Sequence, residues 1–128
     1  MKHIKPTNWP ILFLLSLSTN VFAIDPTDTR MLAQPAISSS HIAFIYAEDL
    51  WVANKDGSQP RRLTVDEGLE SNPVFSPNGK TIAFSAEYDG NVDVFIVPVE
   101  GGIPTRLTWH PYPDAVRGFT PDGNAVLF

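Results

Sequence analysis

Two unrelated short motifs in this chain recur at one and the same distance, and that distance constrains the fold more than any other feature. Arg62-Leu63-Thr64 returns as Arg106-Leu107-Thr108, and Phe75-Ser76-Pro77-Asn78-Gly79 returns as Phe119-Thr120-Pro121-Asp122-Gly123, each 44 residues on. Asp49-Leu50-Trp51-Val52 matches Asp93-Val94-Phe95-Ile96 at the same step. Ile42-Ala43-Phe44 returns as Ile82-Ala83-Phe84 after 40 residues and then as Val126-Leu127-Phe128 after 44, and the short step is assigned to a shorter hairpin at 38–41 in the first copy. A fixed period of roughly 20 to 50 residues marks a repeat architecture, in which each unit buries its apolar face only against its neighbours.

Within one unit the pattern is that of strands. Thr81-Ile82-Ala83-Phe84-Ser85 and the run 92–98 are rich in β-branched and aromatic residues, and turn formers bound them: Pro77-Asn78-Gly79 before, Asp89-Gly90-Asn91 between, Gly101-Gly102 after. No long window beyond the N-terminal stretch shows a helical apolar stripe. The first unit is predicted to hold strands at 36–38, 42–46, 49–53 and 61–64, with Asp56-Gly57 in its last hairpin turn, and the second at a run ending near Phe75, then 81–87, 92–98 and 104–108. Four antiparallel strands per unit of this length is the blade of a β-propeller. The fold class is therefore all-β: blade 1 at about 35–66, blade 2 at about 71–110 and a partial third blade at about 115–128, after a lead-in at 24–34. Propellers close with roughly four to eight blades, so the reading predicts an incomplete propeller and an N-terminal part of a longer protein.

Residues 1–23 read as a cleavable export signal. Lys2 and Lys5 supply a basic start, 11–17 (ILFLLSL) a short apolar core, and Val21-Phe22-Ala23 the small residues wanted before a signal-peptidase cut. The apolar run is far shorter than the ~20 residues of a bilayer span, and nothing after Ala23 is apolar for long enough to cross a membrane. The expected location is periplasmic or extracellular. Beyond Ala23 seven basic residues face fourteen acidic ones, a net charge of −7 with no basic tract, which argues against binding nucleic acid through phosphates. With no cysteine, thiol catalysis, Cys-based zinc sites and disulfides are excluded.

The phrase Phe75-Ser76-Pro77-Asn78-Gly79-Lys80-Thr81-Ile82-Ala83-Phe84, followed by Asp89-Gly90 and Asp93-Val94-Phe95-Ile96, resembles the WD-like repeat shared by tricorn proteases, TolB-type proteins and the propellers of prolyl-oligopeptidase-like enzymes. Two further stretches resemble the opening blades of tricorn-type proteases. One runs from Pro35-Ala36-Ile37 through Ile42-Ala43-Phe44 to Asp49-Leu50-Trp51, and the other from Arg106-Leu107-Thr108-Trp109-His110-Pro111 through Val116-Arg117-Gly118-Phe119-Thr120-Pro121-Asp122-Gly123. Phe119 stands where that family commonly has Trp, and Tyr112-Pro113 where Gly-Ala is usual. The resemblance implies a noncatalytic propeller of an exported serine peptidase, acting in substrate gating or assembly, with peptide substrate and downstream domains of the same chain as partners. The alternatives are a TolB-like protein-binding propeller and the propeller of a prolyl-oligopeptidase-like enzyme. The oligomeric state is left open.

The chemistry-bearing residues are weighed one by one. His41 in a hairpin turn and His110 before Pro111 have no sequence context that pairs either with a serine, and serines 38, 39, 40, 58, 71, 76 and 85 lie in turns or strands. Asp89-Gly90-Asn91-Val92-Asp93 imitates the start of a calcium loop with Glu100 at the twelfth position, yet Val94 stands where glycine is needed and 94–98 is a strand, so a hairpin turn is expected. Asp49 and Asp93 occupy equivalent places and are expected to hydrogen-bond at strand starts. Trp51 and Phe95 are expected to fill contacts between blades. Asp66-Glu67-Gly68-Leu69-Glu70 reads as a solvated acidic connection with a peptide-facing role as the functional option, and Arg61 and Arg62 are too few for an anion site. No catalytic residue, metal ligand or cofactor is assigned within the chain.

Overall fold

The computed structural model describes residues 32–128, and the expected signal at 1–23 and most of the expected lead-in lie outside the described residues. Among those described there are ten strands and no helix: β1 (Leu32–Ile37), β2 (His41–Tyr46), β3 (Asp49–Asn54), β4 (Arg61–Arg62), β5 (Glu70–Phe75), β6 (Thr81–Ala86), β7 (Asp93–Pro98), β8 (Thr105–Arg106), β9 (Gly118–Phe119) and β10 (Val126–Leu127). No helix among them is long and apolar enough to cross a membrane. Every pairing is antiparallel, giving a four-stranded sheet β1-β2-β3-β4, a second β5-β6-β7-β8 and a hairpin of β9 and β10. The all-β reading in four-stranded repeat units is what the structure shows.

Alternation along the strands makes the stack of units. Leu50 and Val52 of β3 share one face with Ala43 and Ile45 of β2, and pack with Ile82, Phe84, Phe95 and Val97 of the second sheet in one buried cluster. The Phe84 and Phe95 rings stack with centroids 5.8 Å apart, and Tyr88 lies 4.8 Å from Phe95. Burying Phe84 completely contributes on the order of 2 to 3 kcal/mol. Residues of opposite parity, Ala83, Val94 and Ile96, face the other way and pack with Val116, Phe119 and Val126 of the third unit. β6 is buried nearly throughout because both of its faces are covered.

Phe95 thus fills the contact between units, as expected. Trp51, its equivalent, lies on the face of the first sheet turned away from the second, against Tyr46 in an edge-to-face pair at 5.8 Å.

Three expectations need correction. β1 begins at Leu32, inside the assigned lead-in, because Leu32 and Ala33 pair with Tyr46 and Ile45 across a bulge at Gln34-Pro35. β5 carries the same bulge at Asn72-Pro73. Gln34 and Asn72 both take positive φ, +50° and +51°, and the following proline has no N–H to lose from the ladder. The two bulges meet where the Asn72 amide donates to Gln34 Oε1 at 2.5 Å. The short step from Ile42 to Ile82 does not come from the 38–41 hairpin, which precedes it, but from the two-residue turn 47–48, four residues shorter than its counterpart 87–92. Finally β4 and β8 are two residues each, shorter than predicted, because the ladder is handed to a side chain. Leu50 N donates to Thr64 Oγ1 and Val94 N to Thr108 Oγ1, each at 3.0 Å.

Candidate functional surface

The repeated Arg-Leu-Thr motif is a clamp internal to each sheet. Arg62 donates from Nε to its own Thr64 carbonyl at 2.6 Å and from a terminal nitrogen to Asp49 Oδ1 at 2.7 Å. Arg106 repeats this with the Thr108 carbonyl at 2.7 Å and Asp93 Oδ2 at 2.5 Å. Asp49 and Asp93 therefore act at strand starts, as expected, and their partners are the arginines of the neighbouring strand. Asp89 joins the second clamp, 3.1 Å from Arg106. The carboxylates of the calcium-like phrase thus converge on a guanidinium, and Asn91 Nδ2 is spent on the His110 carbonyl at 2.8 Å. Among the described residues no group of three or more His, Asp or Glu comes together to hold a metal ion.

The β1–β2 type of turn is likewise built by one hydroxyl per unit. Ser38 Oγ accepts from the His41 amide at 2.9 Å, Ser76 Oγ from the Thr81 amide at 3.0 Å and Thr120 Oγ1 from the Ala125 amide at 3.0 Å. Asp122 is held below the usual carboxylate range by its bond to Thr120. At the first of these turns the structure departs from the sequence reading: Ser40 Oγ lies 2.9 Å from His41 Nδ1. The pair is exposed and formed by sequence neighbours, at the mouth of a cleft of about 590 Å³ lined also by Lys80, Pro98 and Glu100. No carboxylate bonds His41 among the described residues, so the pair lacks the third group that orients a general base.

The opposite end of the sheets carries the two connections between units. Their spacing is set by backbone bonds: Glu70 N donates to Glu48 O at 3.1 Å, Asp114 N to Val92 O at 2.8 Å and Glu87 N to Leu69 O at 3.1 Å. Glu70 is not part of a solvated loop, as its sequence context suggested, but is 4% exposed. Its Oε2 accepts from Leu50 N and Thr64 Oγ1, both at 2.6 Å, and its Oε1 from Tyr88 Oη at 2.5 Å, tying the first sheet to the second. Burial lifts the Glu70 carboxyl above its ordinary range against the pull of those bonds, and Tyr88, half-buried beside it, is pushed up as well. An acid recurs 44 residues on as Asp114, but that recurrence does not encode the burial of Glu70. Gly68 is required here, since a Cβ would come 2.3 Å from the Glu87 carbonyl oxygen. Asp66 and Glu67 stay exposed.

The second connection, Trp109-His110-Pro111-Tyr112-Pro113, is exposed throughout. The Tyr112 amide donates to His110 Nδ1 at 3.2 Å, the two rings lie 5.4 Å apart, and the Arg106 guanidinium sits 6.0 Å over the Trp109 ring. His110 is thus a local acceptor.

Residues 29–128 match the family described as the tricorn protease N-terminal β-propeller domain. The chain is 37% identical over 102 residues to tricorn protease homolog 1 of Streptomyces coelicolor, covering 79% of this chain and 10% of that one. It is 29% identical over 116 residues to the Tol-Pal system protein TolB of Legionella pneumophila, covering 74% of this chain and 28% of the relative. Among solved structures, a tricorn protease superposes with a TM-score of 0.64 at 26% identity, covering 73% of this chain and 10% of that one. TolB from Acinetobacter baumannii gives 0.64 at 20% identity, covering 73% and 25%, which speaks to fold alone. The chain spans about a tenth of the length of the tricorn relatives it matches.

Proposed function

The chain belongs to the tricorn protease N-terminal β-propeller family, and from that premise we propose that it forms the first blades of a noncatalytic propeller in a longer, exported serine peptidase, gating substrate or organising the assembly. The family match across residues 29–128 carries the reading. It is supported by the fate of the repeated polar motifs: Arg62, Arg106, Asp49, Asp93 and Thr108 are spent on bonds inside their own sheets, and Thr64 on the Glu70 bond that joins the first sheet to the second. Bond-breaking belongs to residues outside this chain, and export to the leader at 1–23.

The complete protein should hydrolyse short fluorogenic peptides and lose that activity when a serine downstream of Phe128 is changed to Ala. A complete protein without peptide hydrolysis or such a serine overturns the reading. A second reading, a TolB-like protein-binding propeller, is supported by the 29% identity over 116 residues to TolB of Legionella pneumophila. Stable capture of an envelope protein by a hydrolytically inert complete protein would select it.

A further inference from the structure

The connections between the units place large apolar side chains in water beside carboxylates. Val65 and Leu69 are 76% and 53% exposed, and Trp109 and Tyr112 are 70% and 72% exposed. Turn 87–92 makes the two connections one surface: the Glu87 amide holds the Leu69 carbonyl on one flank and Asn91 Nδ2 the His110 carbonyl on the other.

Trp109 is not exposed for want of a neighbouring unit. Its equivalent 44 residues earlier is Val65, which has the whole second sheet packed beside its unit and is still 76% exposed. The position faces solvent in a completed repeat, and an indole there presents apolar area that suits an interaction surface. The loop is pre-ordered as well: Pro111 and Pro113 restrict the backbone, the His110 ring fixes the Tyr112 amide, and Arg106, held by Asp89 and Asp93, covers one face of the indole. Ordering in advance lowers the entropy lost on binding.

The charge at this end selects the partner. Its arginines Arg62 and Arg106 are paired with Asp49, Asp89 and Asp93, while among the described residues no ion pair takes up Glu48, Asp66, Glu67, Glu87 or Asp114. We propose that this end of the blades binds a basic polypeptide segment, its apolar side chains against Trp109 and its Lys or Arg side chains opposite Asp66, Glu67 and Asp114. The inference deepens the gating reading and rests on it for the peptide's role as substrate. Stacking of a second cation on the free face of Trp109 adds to the attraction.

The test uses the complete protein with a serine-hydrolase inhibitor present, and two labelled peptides of equal length. One is Lys/Arg-rich with a single Phe, and the other has Glu at every basic position. Fluorescence anisotropy should show binding of the basic peptide and none of the acidic one. Trp109→Ala should weaken binding about tenfold, and Asp66→Asn with Glu67→Gln should weaken it and flatten its dependence on salt. Equal binding of both peptides, or unchanged affinity in Trp109→Ala, overturns the proposal. Hydrolysis of short peptides, measured on uninhibited protein, separates the two readings. Hydrolysis without basic-peptide binding sinks this inference alone, whereas binding without hydrolysis leaves the surface standing and removes its peptidase context.

Discussion

At the junction of the first two sheets, the Glu70 carboxylate reaches across to Leu50 N and Thr64 Oγ1 and takes the Tyr88 hydroxyl on its other oxygen. At the next junction Asp114 sits on the same backbone scaffold, its amide bonded to Val92 O as that of Glu70 is to Glu48 O. Thr108 Oγ1, however, donates to Asp93 Oδ1 at 3.1 Å, within its own sheet. Among the described residues the Asp114 carboxylate makes no bond matching those of Glu70, and the position 44 residues after Tyr88 falls beyond Phe128. Gly68 lets the first connection run tight against the Glu87 backbone; Tyr112 stands at the equivalent place, and the positions that would match Glu87 and Tyr88 fall after Phe128. A repeat fixes where a junction lies; at the first junction Glu70, Gly68 and Tyr88 supply the lock.

The largest test of this contrast is Phe84→Ala, which empties the centre of the first junction and should cost about 4 kcal/mol in denaturant unfolding. Val116→Ala at the second junction should cost clearly less, and equal losses would break the comparison. Next comes the clamp within each sheet. Arg106→Ala leaves Asp93, 2% exposed, charged and unpaired, for an expected loss of about 3 kcal/mol. Arg62→Ala breaks a pair whose arginine is 41% exposed, for a loss below about 1 kcal/mol. Glu70→Ala strips the acceptors from the Thr64 and Tyr88 hydroxyls and should cost about 2 kcal/mol. Asp114→Ala should stay within about 0.5 kcal/mol, and a matching loss at Asp114 would show the second junction to be equally locked.

The smallest effect is a dependence on pH. Burial first, with the Asp49 charge adding to it, raises the folded-state value of Glu70 above its unfolded one, against the bonds from Thr64, Tyr88 and Leu50. Stability from such a group is fully present below the unfolded value and lost as pH rises through the folded value. The advantage of Glu70→Gln over the native protein should therefore grow from acid toward neutral pH in paired unfolding curves, and a difference that stays constant contradicts the account.

Much of the fold was legible because strand periodicity and the recurring motifs agreed: β6 and β7 fall within one residue of their predicted bounds. The bulged start of β1 was not, since Gln34-Pro35 reads locally as a break and its strand character comes from pairing with Ile45 and Tyr46. At the candidate surface, Asp66 and Glu67 could be read as exposed from their neighbours. Glu70 could not, because its burial is imposed by Tyr88, Thr64 and Leu50, residues from other strands and a turn. The Ser40–His41 contact was missed for the opposite reason: it is a local rotamer choice that no spacing rule encodes.

The proposal at the centre is that this chain takes part in gating or assembly and breaks no bonds itself. Cleavage of a panel of fluorogenic peptides by the segment 24–128, beside the complete protein at equal molar concentration, tests it most directly. The account predicts hydrolysis by the complete protein and none by the segment; hydrolysis by the segment that is lost in Ser40→Ala or His41→Ala would contradict it.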